Sequence, residues 1–165
     1  MRIHKPLIVL LCILAVPMLA CSMSSTQRDG TNTTSQQVKQ YIAMARQDAI
    51  KASIPPDLFV RQINRESGFN PDATSPSGAE GIAQFMPETA AILGIDPWNP
   101  VEALKGAAQL MAHYSKMFAG AYSKALATYN AGLGTVQHAL KVCGEVHWMS
   151  CIPAETQQYI AVILG

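Results

Sequence analysis

Prolines and glycines divide the chain from Gln36 to Leu164 into short helical segments, and no alternating run between them is long enough to make a strand. Val38, Ile42, Ala45, Ala49 and Ile50 recur at helical spacing, and Pro55-Pro56 stops that helix and opens the next. Pro87-Glu88 begins a short helix that Gly94 closes. Asn99-Pro100-Val101-Glu102 supplies an N-cap, a first-turn proline and an acidic third position for a helix that Gly120 ends. Further helices are expected from Ala121 to Asn130, from a cap at Thr135, and from Pro153 to Leu164. The stretch from Asn70 to Ile82 has room for a short hairpin. The fold class is therefore mainly α, a bundle of about seven helices over 36–165.

The front of the chain has a different character. Arg2, His4 and Lys5 precede an apolar run from Leu7 to Val16, and Pro17 breaks it before small residues at Ala20 and Cys21. Residues 1–20 thus read as an export signal, since a run of this length is too short to span a bilayer as a stable helix. Met18-Leu19-Ala20-Cys21 looks like a lipoprotein cleavage site with unusual residues before the cysteine. Two endings stay open: a lipidated Cys21, or cleavage nearby to release the protein. Residues 21–35 hold almost no apolar side chains, so a flexible tether is expected there.

Removing Arg2 and Lys5 leaves ten basic against eleven acidic residues. Such a balance offers little attraction to a polyanion, so nucleic acid is not an expected partner. Export implies an oxidising compartment, where Cys143 and Cys151 are expected to form a disulfide. A zinc site using His147 between them is the rival reading, and it lacks a fourth ligand.

Glu66 is the residue with the most chemistry in it. On a helix from Pro56 to Ser67, Phe59, Ile63 and Glu66 fall on one face, and Arg61 and Arg65 point away from it. A carboxyl on an apolar face near a helix C-terminus is disfavoured as an anion, which suits a general acid. The bland alternative is a boundary glutamate paired with a neighbouring arginine.

Around it lie Glu66-Ser67-Gly68-Phe69-Asn70-Pro71, Ser75-Pro76 and Gly78-Ala79-Glu80-Gly81-Ile82-Ala83-Gln84-Phe85-Met86-Pro87. Farther on come Ala125-Leu126-Ala127-Thr128-Tyr129-Asn130-Ala131-Gly132 and Ile152-Pro153-Ala154-Glu155-Thr156-Gln157-Gln158-Tyr159-Ile160. In order and spacing these blocks resemble the lysozyme-like, soluble-type lytic transglycosylases, which are peptidoglycan lyases. The chain departs from that pattern at Leu133, where a proline is usual, and at Gln157, where an arginine is common.

The resemblance implies a lysozyme-like fold and cleavage of the β-1,4 bond between N-acetylmuramic acid and N-acetylglucosamine, with 1,6-anhydromuramyl products and no metal or organic cofactor. It casts Glu66 as catalytic acid and then base, and Ser75 as a contact to the muramyl acetamido group or an orienter of Glu66. Gln84 and Met86 are expected to line the sugar cleft, and Tyr129 to hydrogen-bond near the acid and hold it. Asn130 is expected either to touch substrate or to cap its own helix. Glu155 sits either at the cleft edge or as a first-turn helix acid. Tyr159 is expected to pack in the core, His113 and His138 to be surface or satisfied positions, and Trp98 and Trp148 either to pack beside proline turns or to stack on sugar rings.

The implied partners are periplasmic glycan strands and, through Cys21, the outer membrane. A short catalytic module also suits opening the wall for a secretion, pilus or conjugation machine. Two alternatives remain at this stage. A goose-type lysozyme would need Asp72 or Glu80 to hold a water, and a glycan-binding assembly factor would need no cleavage.

Overall fold

The computed structural model describes residues 30–165, with side chains from Thr34 onward. The expected signal, Cys21 and the first part of the tether lie outside the described residues. Seven α-helices and one 3-10 turn make up the described chain: α1 Gly30–Lys51, α2 Pro56–Ser67, α3 Pro87–Leu93, α4 Pro100–Met117, α5 Tyr122–Ala131, α6 Leu133–His147, the 3-10 turn Trp148–Cys151, and α7 Ala154–Leu164. Among the described residues the place of the possible hairpin is taken by two isolated antiparallel bridges, Thr74 with Glu80 and Glu80 with Phe85.

Two helix starts differ from expectation for physical reasons, and α4 stops at Met117, short of the expected end at Gly120. α1 starts at Gly30, inside the segment expected to be a tether. Tyr41, Ala45 and Ala49 bury one face of α1, which packs on α2 and α4. Once that nucleus exists, each further residue adds a backbone bond at little cost, so polar residues can extend the helix. α6 starts at Leu133 rather than behind a Thr135 cap. Gly132 takes a positive φ of 85° and lets the chain re-enter a helix at once, while the Thr135 hydroxyl donates backward to the Ala131 carbonyl at 2.8 Å.

α5 runs through the middle of the bundle, against α4, α6 and α7. Ala125, Leu126, Ala127 and Thr128 are all buried, which a helix achieves only when neighbours cover it on several sides. Small side chains at 125 and 127 let those neighbours approach closely. α2 buries Leu58, Phe59, Gln62 and Ile63. Removing Phe59 and Ile63 from water stabilises the fold by about 2 kcal/mol each. Arg61 also fastens α2 to the end of α7, its Nε donating to the Ile163 carbonyl at 2.5 Å.

α2 stops sharply. Gly68 and Phe69 both take positive φ, 61° and 63°, and the Gly68 N–H closes on the Asn64 carbonyl. Phe69 is buried, and that burial holds a conformation that costs a non-glycine residue energy. The loop that follows folds back under α2, where the Ser67 hydroxyl donates to the Ile82 carbonyl at 2.7 Å. Gly81 cannot be anything larger: a Cβ there would lie 1.9 Å from the Pro97 carbonyl oxygen.

Candidate active site

A groove of about 490 Å³ opens where the end of α2, the loop after it, the end of α5 and the start of α7 meet. Its wall includes Glu66, Ser75, Gln84, Met86, Tyr129, Asn130 and Glu155, seven residues drawn from four separate stretches of sequence. A second hollow of about 310 Å³ shares Gln84, Met86, Tyr129 and Asn130 and continues toward Tyr114 on α4.

Glu66 is partly buried, with the rest of its surface turned to the groove. Desolvation lifts its carboxyl from an ordinary value near 4.5 to about 7, against the opposing pull of the Tyr159 hydrogen bond and the Arg65 charge. Tyr159 donates its hydroxyl to Glu66 Oε1. With Oε1 occupied as an acceptor, Oε2 is the oxygen left to carry the proton. A carboxyl in this state both gives and takes a proton near neutral pH.

Tyr159 is therefore more than packing. It is 3% exposed, and the side chain that fills the α7 core stripe with Thr156, Ile160 and Ile163 also reaches the acid. Burial and the neighbouring Glu66 push its phenol well above the usual range, so it acts as a donor. Residues 156, 159, 160 and 163 form the buried face of α7, and the packing of α7 on α2 brings the Tyr159 hydroxyl to Glu66.

Tyr129 differs from expectation in the opposite sense. Its hydroxyl donates to the Ala83 carbonyl at 2.8 Å, not to Glu66, and its ring leans on Phe85 with centroids 6.1 Å apart. It still lies close enough to Glu66 for that charge to raise its phenol further, beyond the effect of burial. Tyr129 thus holds the loop that floors the groove. Arg65 also differs from expectation: it lines the groove beside Glu66 instead of turning away.

Ser75 Oγ is 3.0 Å from Ser77 Oγ and accepts the Ala79 N–H at 2.9 Å, so it shapes its own loop and does not orient Glu66. Gln84 has a positive φ of 51°, held because its amide NH2 donates to the Ala73 and Gly81 carbonyls at 3.1 and 2.9 Å. Its amide oxygen is left for a ligand. Asn130 accepts the Thr156 hydroxyl at 2.8 Å, which ties α5 to α7 and leaves its NH2 free to donate into the groove. Glu155 combines both of its readings, exposed in the first turn of α7 and part of the groove wall. Met86 is exposed at the rim as an apolar surface. Asp72 and Glu80 are not part of the wall.

Cys143 and Cys151 are joined, which removes the thiolates a zinc site would need. The bridge spans a break in α6 at Gly144, where φ is 69° and ψ is 174°, and it secures the 3-10 turn that leads into α7. Trp148 is buried in that turn, and Trp98 lies outside the groove wall.

A family model described as the transglycosylase SLT domain matches residues 43–146. The chain belongs to the transglycosylase SLT domain family. Its relatives include the membrane-bound lytic murein transglycosylase D of Escherichia coli strain K12, 32% identical over 127 residues, covering 70% of this chain and 28% of that protein. The transglycosylase of Enterobacteria phage PRD1 is 33% identical over 81 residues, covering 48% of this chain and 30% of that protein. The lytic transglycosylase Slt of Pseudomonas aeruginosa, solved as an inactive glutamate-to-glutamine mutant, superimposes with a TM-score of 0.64 at 28% identity, over 74% of this chain and 22% of that one. The chain thus spans under a third of the length of the relatives it matches. Its helical architecture is that of the lysozyme-like Slt fold.

Proposed function

We propose that this SLT domain is a peptidoglycan lytic transglycosylase with Glu66 as its acid and base. The carrying observation is the Glu66 carboxyl, raised to about 7 and held by Tyr159 at the edge of a polar groove. In the proposed reaction Glu66 gives its proton to the oxygen linking N-acetylmuramic acid to N-acetylglucosamine, and the bond from that oxygen to the muramyl anomeric carbon breaks. The carbonyl oxygen of the muramyl acetamido group attacks the anomeric carbon and holds it as a cyclic intermediate. Glu66, now a carboxylate, takes the proton of the muramyl 6-hydroxyl, whose oxygen closes the 1,6-anhydro ring and expels the acetamido oxygen. Glu66 ends protonated, and no water is consumed.

Several features favour this reading over the alternatives. The related structure is an inactive mutant carrying glutamine in place of a glutamate. The hydrolase reading relied on Asp72 or Glu80, which stand outside the groove wall. The remaining groove carboxylate, Glu155, lies on an exposed first turn.

The proposed setting is the cell envelope, reached by an export signal, with Cys21 as a lipid anchor if it becomes the first mature residue. Intact mass of the envelope protein decides between anchoring and release. Service to an envelope-spanning machine is part of the same proposal. The test is the Glu66→Gln variant on purified cell wall: muropeptide release should fall about a hundred- to ten-thousandfold while sacculus binding and the circular dichroism spectrum persist. Release at the normal rate would rule out Glu66 as the acid, and unchanged machine function in cells would rule out cleavage as the biological role.

A further inference from the structure

Among the described residues, only Gln62 has buried polar side-chain atoms without a hydrogen-bond partner, and both Nε2 and Oε1 are in that state. Gln62 is wholly buried, one helical turn before Glu66 on the same face of α2. An apolar residue of this size would fill the space without stranding an amide. Across the α2–α7 contact is Tyr159, and the Gln62 amide pulls that phenol down against the larger upward push of burial and Glu66, with no formed hydrogen bond between them. A donor near the phenol oxygen has that effect, and Nε2 is the amide's donor.

We infer that Gln62 is a positioning residue for the acid: its amide N–H engages the Tyr159 oxygen and holds the Tyr159 O–H on Glu66 Oε1. A phenol that gives its proton to one partner has lone pairs for a second, and a donor on those lone pairs polarises the O–H. The chain Gln62 to Tyr159 to Glu66 then strengthens when Glu66 becomes a carboxylate and relaxes when it is reprotonated. Amide geometry that is loose with Glu66 at rest fits a contact that tightens during the reaction. The other groups facing Glu66 are Arg65 on its own helix, Tyr129 from α5 and, across the groove, Glu155 from α7. Oε1 takes its hydrogen bond from Tyr159, so the inferred Gln62 effect runs through that hydroxyl.

The consequence for turnover rests on the lyase reading, but the coupling itself does not. The test therefore titrates the Glu66 carboxyl by NMR in the full chain with carbon-13-labelled glutamate, and assays purified sacculi in parallel. Gln62→Leu and Gln62→Met, two apolar replacements of similar size, should each raise the Glu66 midpoint by about half a pH unit. In a Tyr159→Phe background the same changes should have no effect on it. The basic limb of turnover should move with the midpoint, kcat should fall about threefold, and KM should stay put. An unmoved midpoint in both variants, or an equal shift without the Tyr159 hydroxyl, would overturn the inference. A midpoint that moves as stated in a protein that releases no muropeptides would uphold the coupling and sink the lyase reading.

Discussion

Replacing Tyr159 by Phe removes one hydroxyl from the buried face of the groove and leaves the ring in place. The lost bond runs to a group that is ionised in half of its cycle, and hydrogen bonds to charged groups contribute about 1.5–3 kcal/mol. Glu66 opens onto the groove, so water recovers part of that loss and the lower end applies. About 1.5 kcal/mol corresponds to roughly one pKa unit. The Tyr159 bond favours the carboxylate, so its removal raises the Glu66 value from about 7 toward about 8. In the proposed reaction, release of muropeptides starts from protonated Glu66, so the wild-type rate should fall as pH rises through about 7. In Tyr159→Phe that limb should move about one pH unit to the alkaline side, with the acid-side plateau down about tenfold as the carboxyl loses its orientation. Tyr129→Phe is the control, because that hydroxyl bonds the Ala83 carbonyl and its loss should leave the limb in place. A limb that stays put in Tyr159→Phe, or moves toward acid, would refute the role given to the phenol.

Stability should follow the same carboxyl. Its folded value of about 7 lies above its unfolded value near 4.5, so the fold binds the extra proton between them and loses stability as pH rises through about 7. Glu66→Gln cannot titrate, and should be more stable than wild type at pH 8 by about 3 kcal/mol, the gap closing toward pH 4.5 in denaturant titrations. Opening the Cys143–Cys151 bridge, which closes a loop with a sequence separation of 8, should cost about 2.5 kcal/mol of unfolding free energy on reduction.

Most of the helix plan was legible because prolines and glycines act locally. Pro56, Gly68, Pro87, Gly94 and Asn99 sit at the observed ends of α2, α3 and α4. The early start of α1 was not legible, since Gly30 to Ser35 has no apolar stripe and takes its helicity from packing farther along. In the site, the groove wall came from short motifs whose residues point the same way. The partners of its hydroxyls did not, because a tyrosine's hydroxyl lies far from its backbone and its partner depends on which helix packs opposite. Tyr129 and Tyr159 exchanged expected roles for that reason: α5 carries one to the loop, and α7 carries the other to the acid. Gln62 was hidden in an apolar stripe, where periodicity reports burial and says nothing of what an amide meets there.

The most direct measurement is mass spectrometry of the muropeptides released from purified sacculi, compared with a muramidase digest of the same wall. A lyase working through Glu66 and an internal 6-hydroxyl gives glycan ends lighter than the muramidase products by one water, with no new reducing sugar. Reducing muramyl ends that take up oxygen from labelled water would show hydrolysis instead and contradict the account.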